Sequence, residues 1–446
     1  MKDQNPRQIA LDILVDVNKN KAYSNIAINR RFKATKIEIV DRKLITELVY
    51  GVIENLIYLD HIIKTLSKIR IKKLNVSVLN ILRMGLYQII FLDKIPVFAA
   101  VNESVNLTKK NDHKSAGFVN GILRNYTRNM NDISIPSLET DPVNHLSIVY
   151  SHPNWLVDKW LRQFGQEKTI LLLKANNEKP PLTIRVNTLK TSKNHLKNIL
   201  IDENLEISDG LYMDEAIHIN NVGSIEELDS FQQGLFQVQD ESSMMVARIL
   251  DPQKGDAVID VCAAPGGKTT HIAQLMEDTG YILARDIYDH KLKLINDNAG
   301  RLGIHIIHTQ TYDAKELDKD SIEKFDKVLV DAPCTGLGII RRKPELKYNK
   351  TPENLMEIAE LQFEILSNSS KYVKKGGILL YSTCTITNEE NHGVVERFLY
   401  HNKDFEISDI NAYLPKELNT KGIGLQLYPH LHKTDGFFIS KLRKKL

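Results

Sequence analysis

The run Asp260-Val261-Cys262-Ala263-Ala264-Pro265-Gly266-Gly267-Lys268-Thr269-Thr270, directly after apolar Ala257-Val258-Ile259, is compatible with few folds. The apolar triplet predicts a buried strand, the small residues and paired glycines a tight loop, and the residues from Lys268 onward a helix. Such a strand-loop-helix layout puts a binding loop at a strand's carboxyl end, where α/β proteins hold nucleotide-like ligands. Strand patterns recur at 258–261, 281–284, 304–308, 327–330 and 377–382, separated by helical ones. This alternation predicts a mainly parallel sheet with helices on both faces. A last apolar stretch, Gly436 to Leu442, is expected to add an edge strand.

The front of the chain has a different period. Ile9, Ile13 and Val17, then Leu44, Leu48 and Val52, then Leu79, Leu82 and Leu86 recur at three- and four-residue steps, so residues 1–135 are expected to form an all-helical domain. Gly51 and Gly85 inside those patterns mark close helix packing, and Pro96 suits a turn or a first helical position. A polar stretch from 129 to 142, with Pro136 and Pro142, reads as a linker. Residues 143–235 are expected to form a small α+β domain, with Trp155 and Trp160 in its core and a strand through Leu182 to Val186. In that strand Arg185 and Asn187 alternate with Ile184 and Val186, a pattern that suits RNA contact or solvation of a strand edge equally. The pattern changes again at Phe236, so residues 236–446 are taken as the third domain, of the α/β type.

Charge separates the domains further. Residues 1–130 hold 22 Lys and Arg against 11 Asp and Glu, although the whole chain carries only +3. A basic front domain points to an anionic polymer such as RNA. No run approaches the roughly 18 apolar residues of a membrane span, and no apolar signal core follows the N-terminal charges, so a cytoplasmic protein is expected. The three cysteines, Cys262, Cys334 and Cys384, form no C-x-x-C pair, which argues against a disulfide framework or a metal site and for free thiols.

The loop after Asp260 lacks the G-x-G-x-x-G of dinucleotide enzymes, which disfavours a nicotinamide cofactor. Asp286 ends its strand where it can accept hydrogen bonds from two ribose hydroxyls. Asp313 is placed either to bond an adenine amino group or to cap a helix. Cys334 follows one expected strand and Cys384 ends another, so both reach the same rim; spacing does not choose between them as a nucleophile.

Three segments taken together carry a resemblance: Asp260 to Lys268, Asp331-Ala332-Pro333-Cys334-Thr335-Gly336-Leu337-Gly338, and Ser382-Thr383-Cys384-Thr385. They resemble the S-adenosylmethionine loop, the D-A-P-C segment and the T-C segment of the RNA cytosine-5 methyltransferases. Arg341-Arg342-Lys343-Pro344-Glu345, Gln239 to Ser243 and Asp435 to Phe438 fit the same pattern, with Thr335 standing where a serine is common. In the front domain, Arg7-Gln8-Ile9-Ala10, Asp41-Arg42-Lys43 and Val119 to Arg124 resemble the helical RNA-binding domain of the NusB type.

The resemblance spans the chain and implies a chemistry. S-adenosylmethionine would be held by Cys262, Ala263, Ala264, Pro265, Gly266, Gly267, Lys268, Asp286, Asp313 and Asp331. Carbon 5 of cytosine is too weak a nucleophile until something adds to carbon 6, and a thiolate performs such an addition. By the resemblance Cys384 is that nucleophile, Cys334 assists product release, Asp331 hydrogen-bonds the ring at N3, and Pro333 directs its loop. The implied substrate is small-subunit (16S) ribosomal RNA, free or in an assembling subunit, with Arg341, Arg342 and Lys343 among its contacts. A monomer without membrane or metal partners is expected. The competing readings are a methyltransferase acting on transfer RNA, a non-catalytic RNA-binding factor with a vestigial cofactor pocket, and a nicotinamide oxidoreductase.

Overall fold

The computed structural model describes residues 5–20, 22–35, 37–220 and 223–446, and the chain divides into two compact units. The first comprises residues 1–178 and 340–350, the second residues 179–339 and 351–446.

The first unit is helical among its described residues, as the apolar period predicts. Seven helices run between Pro6 and Arg128, followed by Pro142–Tyr150 and Asn154–Asn176. Helix Val76–Phe91 is the hub, packed against Pro6–Asn20, Ile39–Glu54, Leu56–Leu66, Val97–Asn111 and Ala116–Arg128. Close approach there depends on the two glycines. A Cβ on Gly51 would lie 1.9 Å from the Tyr87 ring, and one on Gly85 would press on Ser104 and Leu123. Overfilling such a core costs about 1–3 kcal/mol, so both positions need glycine. Arg83 inside the hub is neutralised by Asp60 through two 2.7 Å hydrogen bonds. Pro96 is the N-cap residue of helix Val97–Asn111, and Trp160 is fully buried while Trp155 is partly so.

The second unit holds two sheets. The smaller is antiparallel in the order β2-β3-β1-β4, from β1 (Leu182–Val186), β2 (Glu206–Asp209), β3 (Ala216–Asn220) and β4 (Phe236–Val238). The larger comprises β5 (Ala257–Asp260), β6 (Tyr281–Asp286), β7 (Ile307–Thr311), β8 (Phe325–Asp331), β9 (Val373–Thr383), β10 (Phe405–Ile407), β11 (Leu425–Leu427) and β12 (Phe437–Lys444). Its order is β10-β12-β9-β8-β5-β6-β7, with β11 pairing β12 off that path. Strands β5 to β9 are mutually parallel; β10, β11 and β12 join antiparallel.

Alternation along the strands builds a core on each face of the large sheet. Val258, Leu329 and Leu380 pack with Met244, Met245 and Ile272 on one side. Their neighbours Ile259, Val328, Val330, Leu379 and Tyr381 pack with Ile365, Leu366, Val395 and Phe398 on the other. Side chains of successive strand residues point to opposite faces, which is why both kinds of position are apolar here.

Two expectations are corrected. The stretch Gly436 to Leu442 is not an edge strand: β12 lies inside the sheet, Phe438 to Arg443 pairing with Thr383 to Ile378, because β10 covers its outer side. The strand expected at 304–308 begins later, at Ile307. Gly303, at φ 74, ends the preceding helix, and Ile304 still donates its N–H to Ala299 O. A left-handed glycine followed by such a bond is a helix terminus, so Ile304 is taken up in closing it.

Candidate active site

The carboxyl ends of β5, β6, β7, β8 and β9 form one rim. After β5 the chain passes through the cis Ala264–Pro265 bond and Gly266 at φ 96 into helix Gly267–Leu275. Glycine is needed at 266 for its left-handed backbone and because a Cβ would sit 3.2 Å from Ile295 Cα. Beside Gly267, by contrast, a Cβ would meet nothing within 4 Å, so the start of this helix borders open space. Asp260, below the loop, accepts from Thr269 Oγ1 at 2.7 Å and from Cys262 N at 3.4 Å. Burial raises its carboxyl pKa to about 7 against the opposing Thr269 hydrogen bond.

Two carboxylates stand on the same rim. Asp286 ends β6, is largely buried, accepts from Tyr288 N at 3.1 Å and has Lys291 Nζ at 3.5 Å. Asp313 lies two residues beyond β7 and accepts from Lys315 N at 3.0 Å, a local turn rather than a cap on an α-helix. An open helix start flanked by carboxylates suits an adenosine cofactor, whose ribose hydroxyls and amino group are hydrogen-bond donors. The residues present therefore fit S-adenosylmethionine. Cys262 has no chemical part in that fit: burial and then the charge of Asp260 raise its thiol well above the ordinary range.

The cysteines at the ends of β8 and β9 are brought together, Cys334 Sγ lying 3.2 Å from Cys384 Sγ. The hydrogen bond to Cys384 and then burial hold Cys334 strongly in the thiol form. Lys268 Nζ is 2.7 Å from Asp331 Oδ2, and Ser382 Oγ donates to the other carboxylate oxygen at 2.8 Å. Burial opposes the Lys268 charge, but the charge of Asp331, aided by Cys384, outweighs it and the pKa rises. Lys268 thus stands as an ammonium in the electrostatic reach of Cys384. Either sulfur of the cysteine pair can donate to the other.

A buried carboxylate clamps both cysteine loops. Glu390 is fully buried and accepts from Thr335 N at 2.8 Å, Thr387 Oγ1 at 2.6 Å, Gln362 Nε2 at 3.1 Å and Thr385 Oγ1 at 3.3 Å, besides a bond from Thr335 Oγ1. Gln362 also donates to Pro333 O at 2.9 Å. Gly338 N donates to Cys384 O at 3.1 Å and Gly436 N to Gly338 O at 2.8 Å, lacing in the loop before β12. A Cβ on Gly338 would lie 2.0 Å from Gly436 O, so this contact requires glycine. The sequence patterns do not single out Glu390 or Gln362, and they give Ser382 no role beyond its place in the T-C segment. The run Thr385-Ile386-Thr387 with Glu390 just after Cys384 was the available signal for the first.

The structure corrects the RNA-facing reading of β1. Arg185 is 1% exposed and donates to Gly267 O at 2.9 Å, Gln274 Oε1 and Thr270 Oγ1 at 3.2 Å, and Gln239 Oε1. Asn187, equally buried, donates to Gly234 O at 2.8 Å and Leu302 O at 2.9 Å. Both are consumed in fastening the small sheet to the helices of the large one, because β1 is flanked by β3 and β4 and has no free edge. Arg341, Arg342 and Lys343 fall in the segment 340–350 that groups with the helical unit. There Arg341 is 9% exposed and Lys343 stands 5.1 Å over the Tyr23 ring.

A mixed sheet whose strands β5 to β9 are parallel, with this loop after β5, is the fold of an S-adenosylmethionine-dependent methyltransferase. The model of the family described as 16S rRNA methyltransferase RsmB/F matches residues 247–443, that of the NusB family residues 4–128, and that of a RsmF/B-like ferredoxin-like domain residues 152–226. The chain belongs to the 16S rRNA methyltransferase RsmB/F family: it is 41% identical, over 100% of both chains, to a probable ribosomal RNA small subunit methyltransferase B of Bacillus subtilis. Among solved structures, PH0851 is similar over 99% of both chains, with TM-score 0.85 and 27% identity. NSun6 from Pyrococcus horikoshii with SFG, a complex with an S-adenosylmethionine analogue, matches 66% of this chain and 99% of its own, with TM-score 0.60 and 28% identity.

Proposed function

We propose that this methyltransferase modifies carbon 5 of a cytosine in small-subunit (16S) ribosomal RNA through a covalent adduct on Cys384. The observation that carries the reading is the 3.2 Å approach of Cys334 and Cys384 beside the Lys268–Asp331 pair. A single cysteine would suit many roles; two sulfurs in contact at the end of the methyl-donor rim suit a reaction that both makes and breaks a carbon–sulfur bond.

Cys384, as thiolate with the Lys268 ammonium near, adds to carbon 6 of the ring, and the displaced electron pair raises the nucleophilicity of carbon 5. Asp331, held by Lys268 and Ser382, shares with ring N3 a proton taken up as the cytosine binds, and that proton offsets the negative charge that addition develops there. Residues Cys262 to Lys268, Asp286, Asp313 and Asp331 would hold S-adenosylmethionine, which supplies an electrophilic methyl group to carbon 5. A base then takes the carbon 5 proton, the electrons return to expel the Cys384 sulfur, and the Cys334 thiol assists that release. A stacked cytosine hides carbons 5 and 6, so the target is single-stranded or flipped out.

The NusB-type front domain, carrying 22 basic against 11 acidic residues in 1–130, supplies phosphate contacts that position RNA. Arg341, Arg342 and Lys343 are proposed to add to these contacts. The protein acts in the cytoplasm as a monomer. The names of its relatives, ribosomal RNA small subunit methyltransferase B, favour ribosomal over transfer RNA.

The test is transfer of labelled methyl from S-adenosylmethionine to undermodified free 16S RNA, assembled small subunits and transfer RNA in parallel, followed by mapping of the modified atom. Label at cytosine carbon 5 of 16S RNA is expected. Label confined to transfer RNA, or no transfer, overturns the reading.

A further inference from the structure

The opposite rim of the large sheet carries a cavity of about 400 Å³, which the methyl-transfer reading does not use. It opens where β8 and β9 begin and where antiparallel β12 ends, so the length of the strands separates it from Cys334 and Cys384. Lys441 is among its lining residues. That residue is 3% exposed, its Nζ stands 3.9 Å from the centroid of the Tyr413 ring, and among the described residues no hydrogen bond or ion pair reaches its ammonium. Lys327 and Arg443 line the cavity beside it.

The wall carries five Lys and Arg against three Asp, so positive charge is in excess there. Asp326 pairs with Lys374 at 2.8 Å and accepts from Ala257 N at 2.9 Å. Asp256 accepts from Gln253 N at 2.9 Å, and Asp251 from Tyr413 Oη at 3.0 Å. Burial first, then the Lys327 charge, brings the Lys441 pKa down to about 8, with Asp251 opposing, so an anion in the cavity would raise it again. The concave shape and the excess of cations on its wall suit a compact group with several acceptor oxygens and more than one negative charge.

We propose that this cavity binds a phosphate group through Lys441, Lys327 and Arg443. Two sources carry that group: the backbone of the RNA substrate, making this a contact remote from the target base, or a free phosphate-bearing small molecule. The inference stands on the cavity alone and does not depend on which RNA is methylated.

The test uses the full-length protein, with Lys441→Met, which keeps most of the stem that covers Tyr413, and Lys327→Gln as a second variant at a half-buried position. S-adenosylmethionine binding, expected to be equal in all three proteins, verifies their folding. In one arm, 16S RNA affinity is measured across a salt series; in the other, Tm is followed against inorganic phosphate at constant ionic strength. An RNA phosphate in the cavity predicts several-fold weaker RNA binding in both variants and a slope of log affinity against log salt smaller by about 0.7. A free ligand predicts that millimolar phosphate raises the Tm of the unsubstituted protein and not of the variants, with RNA binding unchanged. If both variants match the unsubstituted protein in both arms, the proposal is wrong.

Discussion

Lys268 Nζ stands 2.7 Å from Asp331 Oδ2, an ion pair that ties the helix opened by the loop after β5 to the first residue of the D-A-P-C segment at the end of β8. The pair joins two segments that the sequence holds 63 residues apart. Replacing Lys268 by Met removes the cation from the neighbourhood of Cys384, where a thiolate is then harder to form. Turnover is expected to fall on the order of tenfold or more, and the rising limb of the pH–rate profile to move to higher pH. A profile of unchanged shape would show that Lys268 only positions Asp331.

The two cysteines are expected to fail differently. Cys384→Ala should abolish methyl transfer and form no adduct. Cys334→Ala should still form one and release it slowly, so that a covalent protein–RNA species persists on denaturing gels. Normal turnover in Cys384→Ala would assign the nucleophile wrongly.

Glu390 serves both cysteine loops through Thr335, Thr385 and Thr387. Glu390→Ala leaves several buried donors without an acceptor, each lost bond of this kind costing about 1–3 kcal/mol. Transfer should drop at least tenfold while S-adenosylmethionine affinity, set by residues elsewhere on the rim, changes little. Equal losses in both would mean that the whole rim had collapsed.

Asp260 makes stability depend on pH in a definite direction. Its folded pKa of about 7 lies above the ordinary carboxylate value. Below about pH 4 both states are protonated; as pH rises toward 7 only the unfolded chain ionises, so its contribution to stability is lost across that window and stays low above it. Asp260→Asn should flatten the slope and exceed the unsubstituted protein in stability at pH 8, by about 1–4 kcal/mol. Denaturant melts at pH 4, 6 and 8 measure it; parallel curves for the two proteins would contradict the assignment.

Arg185 tests the correction made to β1. Arg185→Met should lower Tm by several degrees through the loss of its bonds to Gly267, Thr270, Gln239 and Gln274. RNA affinity and its salt dependence, measured well below the melting range, should not change. A shallower salt slope would return this side chain to the RNA surface.

Periodicity along the chain determined much of this protein. The helical front, the parallel strands, the tight loop at Ala263 to Gly267 and the placement of Cys334 and Cys384 after strands all follow from local patterns of apolar, small and turn-forming residues, which act over a few neighbours. What local pattern does not contain is partnership. Arg185 and Asn187 look in sequence like polar residues of an exposed strand, and only the packing of β1 between β3 and β4 against the cofactor helix buries them. The Gly436 to Leu442 stretch reads as a terminal strand, yet β10 pairs outside it. Glu390 and Gln362 become the clamp of the cysteine loops because the tertiary fold removes their alternative partner, water. That two cysteines 50 residues apart in the chain should touch at 3.2 Å was decided by the parallel pairing of β8 with β9, a long-range register that no local propensity specifies.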